Sequence, residues 1–125
     1  LVGAVAAVAA TPAFPSSPAA VKVTLSEFKV VTGVPSVAAG KVQFSITNTG
    51  KLTHELVVLK TTKTPAQLKL KSGRADEASS VGESGDVAAG KTGKATLTLT
   101  PGHYLLICNI PGHFAAGQYT AFTVK

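Results

Sequence analysis

The sequence contains a single cysteine, Cys108, and has neither methionine nor tryptophan. One cysteine cannot form an internal disulfide, so the fold must depend on its hydrophobic core and the thiol needs another explanation, of which a metal is the obvious one. Internal repeats, a phosphate-binding loop, a GxSxG motif and paired catalytic carboxylates are also missing from the sequence. The chemistry of the chain is therefore to be sought around the cysteine.

Charge is sparse, at 14% of the residues, and 12 Lys and Arg against 6 Asp and Glu give a formal net charge of +6. The lysines are scattered along the chain, and neither a basic stripe nor an aromatic stacking motif accompanies them. This pattern argues against nucleic-acid binding and suits solubility together with an acidic redox partner protein. We expect the chain to be a monomer.

Long segments of helix-forming residues at 3.6-residue spacing are absent, whereas Val and Thr recur throughout, with 12 Gly and 7 Pro. A chain of 125 residues with 45% apolar content is sufficient for one domain with its own core. The composition predicts an all-β fold of short strands joined by turns.

Residues 1–10 form an uncharged apolar run, and residues 11–20 are rich in proline and small side chains. The apolar run is much shorter than the roughly 20 residues of a membrane-spanning helix, and is typical of a secretion signal. We therefore interpret residues 1–20 as a signal-peptide remnant or flexible linker and expect an exported protein, periplasmic, extracellular or on the cell surface. Membrane attachment through a segment upstream of Leu1 remains an alternative.

From residue 21 onward, apolar and polar residues alternate in VKVTL and KVQFSIT, which is typical of strands with one buried face. HELVVLK is denser in apolar residues and indicates a more central strand, and further strands are predicted at TLTL, HYLLIC and YTAFTVK. Residues 65–90 are polar and predict a long surface connection with one helical turn after Pro65. About seven strands in this length favour a two-sheet sandwich.

The segment CNIPGHFAAGQ presents Cys108, His113 and Gln118 at the end of a strand and in the following turn. A soft thiolate and two imidazoles of intermediate softness, with a weak axial donor, match the requirements of a blue-copper site. The second imidazole is assigned to His54, which opens the strand HELVVLK and which a sandwich can bring to the same pole as Cys108.

The motifs CNIPGH, NTGKLTHELVVL and GQYTAFTV resemble those of the small exported bacterial cupredoxins, over about residues 21–125. The resemblance implies a Greek-key β-sandwich of about seven to eight strands, one type 1 copper and electron transfer. It places His54, Cys108 and His113 as equatorial ligands. Gln118 stands where most members have methionine, as in the stellacyanin-like branch of the family.

The family arrangement also suggests neighbours that support the ligands. The backbone N–H groups of Glu55 and Ile110 are expected to point at the thiolate, and the Asn109 side chain to tie the two ligand loops together. For Asn109 an ordinary turn residue that bonds its own backbone is an equal alternative.

Apolar residues surround His113 and suit brief docking of a redox partner through Pro111, Phe114 and Ala115. Packing of Phe114 in the core is an equally weighted alternative. His103 precedes Cys108 by five residues, or roughly 16 Å at about 3.3 Å per residue, and is therefore excluded from the site.

A carrier of single electrons is the preferred function, because three protein ligands and an axial donor leave no open position for a substrate. Enzymes with several coppers would need more than the three histidines present. A carrier or scavenger that delivers copper to another exported protein is the main alternative. A metal-free immunoglobulin-like interaction module is a third.

Overall fold

The computed structural model of this chain describes residues 3–8 and 17–125. Residues 3–8 have no regular secondary structure and expose their side chains. Within the predicted signal remnant or linker of residues 1–20, residues 1–2 and 9–16 lie outside the described residues. Among the described residues, no helix has the length and apolar character that crossing a bilayer requires. The first strand begins at Ala19, two residues before the predicted start of the domain.

Short strands make up most of the described fold, as the alternating pattern predicts. Their bounds are β1 Ala19–Ser26, β2 Lys29–Thr32, β3 Ser36–Val37, β4 Gly40–Asn48, β5 His54–Lys60, β6 Leu70–Lys71, β7 Arg74–Ala75, β8 Ser80–Val87, β9 Thr92–Leu99, β10 Gly102–Ile107 and β11 Tyr119–Val124. A single 3-10 turn over Pro65–Gln67 matches the helical turn expected after Pro65.

The strands form two main sheets and a small hairpin. One sheet has the order β2-β1-β4-β9, the other β3-β11-β10-β5-β8, and β6 pairs with β7 alone. β1 runs parallel to β4, and β5 runs antiparallel to both β10 and β8. The expected all-β sandwich is confirmed, and the strand number exceeds the prediction partly because β3, β6 and β7 have only two residues each.

The main core lies between the two large sheets, and Phe44 of β4 and Phe122 of β11 meet in it edge to face, with ring centroids 5.8 Å apart. A second apolar cluster lies on the outer face of the five-stranded sheet. Its members are Val57, Leu59, Leu68, Ala75, Leu105, Ile107 and Phe114. The segment between β5 and β8 therefore covers one face of that sheet.

β5 contributes to both clusters, which explains its composition. Leu56 and Val58 face the main core, whereas Val57 and Leu59 face the second cluster. A strand covered on both faces loses the alternation of a half-buried strand and becomes a continuous apolar run. The prediction of a central strand at HELVVLK is confirmed.

The prediction of a connection without strands over residues 65–90 is wrong, since β8 occupies Ser80–Val87 and pairs with β5. β8 is the edge of its sheet and is only partly buried, so its sequence carries few apolar residues. Gly82 also leaves the space that the Leu97 side chain of β9 fills. Edge position and close packing thus account for a polar, glycine-rich strand.

Candidate metal centre

Strand pairing brings His54 and Cys108 to one end of the five-stranded sheet. β5 and β10 are antiparallel, with Ile107 opposite Val57, so the beginning of β5 lies beside the end of β10. His54 is the first residue of β5, and Cys108 directly follows β10. Residues 54 positions apart along the chain therefore meet at one pole of the sandwich.

The loop between β10 and β11 brings His113 back to the same pole. Its backbone closes on itself through the hydrogen bonds from His113 N–H to the Ile110 carbonyl, 2.9 Å, and from Gln118 N–H to the His113 carbonyl, 3.1 Å. Gly112 has φ +87° and Gly117 φ +106°, conformations that side-chain-bearing residues rarely adopt. The two glycines let the loop turn tightly enough to face His113 inward.

His54, Cys108 and His113 form a compact cluster of potential ligand atoms, all within 4.8 Å of one another. The two Nδ1 atoms are 3.2 Å apart. Cys108 Sγ lies 3.5 Å from Nδ1 of His113 and 3.8 Å from Nδ1 of His54. His54 and Cys108 are fully buried, and His113 retains 9% of its exposure.

These distances fit one shared first-row metal ion. Donors at the usual bond lengths of about 2.0 Å for imidazole nitrogen and about 2.3 Å for thiolate, spread about 120° apart, are separated by about 3.5–3.7 Å. One sulfur and two imidazole nitrogens also form the donor set that blue-copper sites use. The cluster therefore has the spacing and the chemistry of a copper site.

Gln118 adds a fourth polar group to this buried site. Its side chain is 0% exposed, and Nε2 donates to the Lys29 carbonyl at 3.3 Å. Oε1 is buried and has no hydrogen-bond partner among the described residues. The backbone fixes its position beside the cysteine, because Cys108 N–H donates to the Gln118 carbonyl at 3.0 Å. A buried amide oxygen without a partner is costly unless a ligand occupies it, and a metal ion is one such ligand.

The environment of the sulfur acts on the thiol in two opposite directions. Burial raises the pKa of Cys108 most strongly, whereas hydrogen bonds from the backbone N–H groups of Glu55 and Ile110 lower it. The Glu55 N–H lies 3.4 Å from Sγ. The Glu55 side chain is nearly buried, and burial followed by the charge of Glu83 raises its own pKa. The backbone N–H of Glu55 thus contacts the sulfur directly, whereas the charge of its carboxyl group adds to the rise in the pKa of Cys108.

His113 is the member of the cluster nearest to solvent. The Phe28 ring meets the imidazole edge to face, with centroids 5.1 Å apart. Burial lowers the pKa of His113, and the neighbouring His54 lowers it further. A neutral imidazole is the form that binds a metal, so these surroundings favour the ligand state.

Asn109 anchors the ligand loop to the β6–β7 hairpin and not to the His54 segment. Its Oδ1 accepts from Ala75 N–H at 2.8 Å, and its Nδ2 donates to the Ala75 carbonyl at 3.0 Å and to Glu77 Oε1 at 2.7 Å. Gly112 N–H also donates to the Gly73 carbonyl at 2.9 Å. In place of the expected tie between the two ligand loops, Asn109 ties the His113 loop to the hairpin.

Of the residues predicted to dock a partner, Pro111 and Ala115 are exposed beside His113. Phe114 is only 4% exposed and packs in the second cluster against the outer face of the sheet. Its assignment to the docking surface is therefore corrected to a core role. His103 is the second residue of β10 and lies near the strand end opposite Cys108, which agrees with its exclusion from the site.

Two residues at this pole had no assigned role in the sequence. Glu27, in the turn between β1 and β2, lies 3.0 Å from Nε2 of His54, and the backbone N–H of Leu52 is the main cause that lowers its pKa. Asn48 ends β4 and its Nδ2 donates to the carbonyls of Leu52 and Val87, both at 2.8 Å. The Asn48-Thr49-Gly50 turn signal points to Asn48, whereas no local pattern singles out Glu27.

The sequence-family model of the sulfocyanin (SoxE) domain matches residues 16–125. None of the curated proteins matches the chain in sequence. The reduced auracyanin of Roseiflexus castenholzii is a solved structure of similar fold, with 19% identity, coverage of 89% of this chain and 99% of that one, and a TM-score of 0.65.

Two further solved structures share the fold. Auracyanin A of Chloroflexus aurantiacus, described as a "blue" copper protein, is 20% identical over 87% of this chain and 100% of that one, with a TM-score of 0.61. A rusticyanin variant in which glutamine replaces a methionine is 25% identical over 87% of this chain and 80% of that one, with a TM-score of 0.61.

Proposed function

The chain belongs to the sulfocyanin (SoxE) domain family, and on that basis we propose that it carries single electrons between redox partners on one type 1 copper ion. The observation that carries the proposal is the convergence of His54, Cys108 and His113, whose donor atoms lie within 4.8 Å of one another. These three residues come from two segments far apart in sequence, so their meeting is a property of the fold.

In this proposal the thiolate of Cys108 and the Nδ1 atoms of His54 and His113 hold the ion, and Gln118 Oε1 is the weak fourth donor. The bound ion would supply a one-electron couple between Cu(II) and Cu(I). The chain contributes donors that already stand at suitable separations, since the strand pairing of β5 with β10 and the closed loop around His113 fix them. A site held in this way needs little rearrangement when its charge changes.

Four protein donors and near-complete burial leave no open position at which a substrate binds. Catalytic metal sites keep such a position. The resemblance to the cupredoxins implies an electron carrier, and we propose this role for the present chain in preference to an enzymatic one. The Glu55 and Ile110 N–H groups support the same role by hydrogen bonding to the sulfur, which tunes its donor strength.

Partner docking is proposed at the pole where His113 approaches the surface. Pro111 and Ala115 are exposed there and uncharged, and Phe28 is 37% exposed against the His113 ring. A small apolar patch suits a transient contact. The net charge of +6 favours an acidic redox protein as the partner through long-range attraction.

We place the protein outside the cytoplasm. The apolar run of residues 1–10 and the proline-rich residues 11–20 support export. The single cysteine is compatible with an oxidising compartment, because no second thiol competes for it within the chain.

The test is to add one equivalent of Cu(II) to the purified metal-free protein and to follow the visible spectrum through reduction by ascorbate and reoxidation. We expect an intense thiolate-to-copper band that bleaches and returns over repeated cycles. Cys108→Ser, which is nearly isosteric, should abolish the band while the far-UV circular dichroism spectrum is retained. A wild-type protein that binds copper without this band would contradict the proposal.

Delivery of copper to another exported protein is the competing outcome of the same experiment. Prompt transfer of Cu(I) to a competing chelator after reduction would support delivery, whereas retention through the cycles supports electron transfer. Burial of His54 and Cys108 favours retention, since an incoming acceptor ligand cannot reach them from solvent.

A further inference from the structure

Behind His54, on the side away from the cluster, lies a carboxylate that the proposed copper site does not use as a ligand. Glu27 Oε1 is 3.0 Å from Nε2 of His54, while Nδ1 of the same ring faces Cys108 and His113. The two ring nitrogens thus have different surroundings, one acidic and one made of potential ligand atoms.

The chain holds Glu27 in this position with its own backbone. Leu52 N–H donates to Oε1 at 2.8 Å, and Lys51 N–H donates to the two carboxylate oxygens at 2.9 and 3.2 Å. Gly50 leaves the necessary space, because a Cβ at this position would lie 2.5 Å from Oε1 and 2.7 Å from Oε2. The turn that precedes β5 is therefore shaped to receive this carboxylate.

A carboxylate that receives backbone N–H bonds acts as an acceptor, so the group that faces it must donate. Nε2 of His54 is then the protonated nitrogen of the ring. Since a neutral imidazole carries one proton, Nδ1 retains its lone pair and is directed at the cluster.

We propose that Glu27 is a positioning residue that fixes His54 in the Nε2–H tautomer and so prepares Nδ1 as a ligand before any metal binds. Carboxylates that hydrogen-bond the outer nitrogen of a metal-binding histidine orient the ring and raise its basicity. The tautomer is a property of the metal-free protein and does not depend on the proposed function. Only the expected effect on metal affinity rests on the proposed function.

The first experiment measures long-range ¹H–¹⁵N couplings of the histidine rings in the metal-free, uniformly ¹⁵N-labelled protein. We expect His54 to show a protonated Nε2 and an unprotonated Nδ1. The reverse pattern in the wild-type protein would overturn the proposal without any variant. In Glu27→Gln the pattern should become a mixture of tautomers, because the amide cannot accept from all the N–H groups that the carboxylate serves.

The second experiment measures Cu(II) affinity by competition with a chelator of known affinity. Glu27→Gln should weaken binding roughly 10–100-fold, the usual effect of losing a partner of a metal-binding histidine. Gly50→Ala keeps the Glu27 carboxylate, but the added methyl group occupies the space of its oxygens. It should therefore change the His54 tautomer and the Cu(II) affinity in the same direction as Glu27→Gln does. If Glu27→Gln does not fold, Gly50→Ala decides the question.

Glu83→Gln is the matched control, because it removes the same charge from a glutamate on β8, which pairs with Val57 away from the cluster. It should leave both the tautomer and the affinity unchanged. Equal losses in Glu83→Gln and Glu27→Gln would reduce the effect to general electrostatics and refute a positioning role. Failure of the wild-type protein to bind Cu(II) would instead refute the proposed function and leave the tautomer result standing.

Discussion

Removal of the Asn109 side chain tests whether the ligand loop depends on the β6–β7 hairpin for its stability. Asn109 is 1% exposed and makes two hydrogen bonds to the backbone of Ala75, which is itself 4% exposed. Asn109→Ala leaves an N–H and a carbonyl of Ala75 without partners in a buried position. At roughly 1–3 kcal/mol for each of these two groups, we expect the free energy of unfolding to fall by about 2–6 kcal/mol.

The assay is urea unfolding of the metal-free protein, followed by far-UV circular dichroism because the chain has no tryptophan. With a slope of about 2 kcal/mol per molar urea, the midpoint should fall by about 1–3 M at unchanged slope. Gln43→Ala is the control, since it removes an exposed side-chain hydrogen bond of 3.4 Å to Thr96 and should change stability by less than about 0.5 kcal/mol. A loss below about 1 kcal/mol in Asn109→Ala would refute the reasoning.

Three further substitutions test the site and its surroundings. Gln118→Met should raise the midpoint potential in voltammetry, because a soft thioether favours Cu(I) more than an amide oxygen does, and an unchanged or lower potential would show that Gln118 does not coordinate copper. Phe114→Ala should lower the free energy of unfolding, measured in urea, by about 3–5 kcal/mol, because it removes a buried aromatic side chain. A loss near 0.5 kcal/mol would show that Phe114 is exposed and not part of the core. His103→Ala should leave the visible spectrum of the copper-loaded protein unchanged, and a lost band would place His103 in the site.

The cluster could be anticipated from the sequence because its geometry follows from two simple rules. The spacing of Cys108 and His113 places both in one loop. Antiparallel pairing of the strand that begins at His54 with the strand that ends just before Cys108 brings the two residues together. Burial of β5 on both faces could be inferred because the apolar run has no polar alternation.

Other features depend on packing that no local pattern encodes. β8 is a strand because β5 offers it a free edge, although its own residues predict a loop. Phe114 is buried because the segment containing Leu68 and Ala75 folds over the outer face of the sheet, and a loop residue gives no sign of such a cover. Glu27 meets His54 only because the β1–β2 turn and the turn before β5 lie at the same pole.

The burial of β5 on both faces also bears on how the protein opens. Amides in strands that neighbours protect on all sides exchange with solvent deuterium mainly through global unfolding, whereas edges and loops exchange through local fluctuations. β5 pairs with β10 on one side and with β8 on the other, and each of its faces is covered by one apolar cluster. The amides of β5 and β10 should therefore be the slowest to exchange. His54 begins β5 and Cys108 directly follows β10. Both residues are therefore attached to the strands that we expect to open least often.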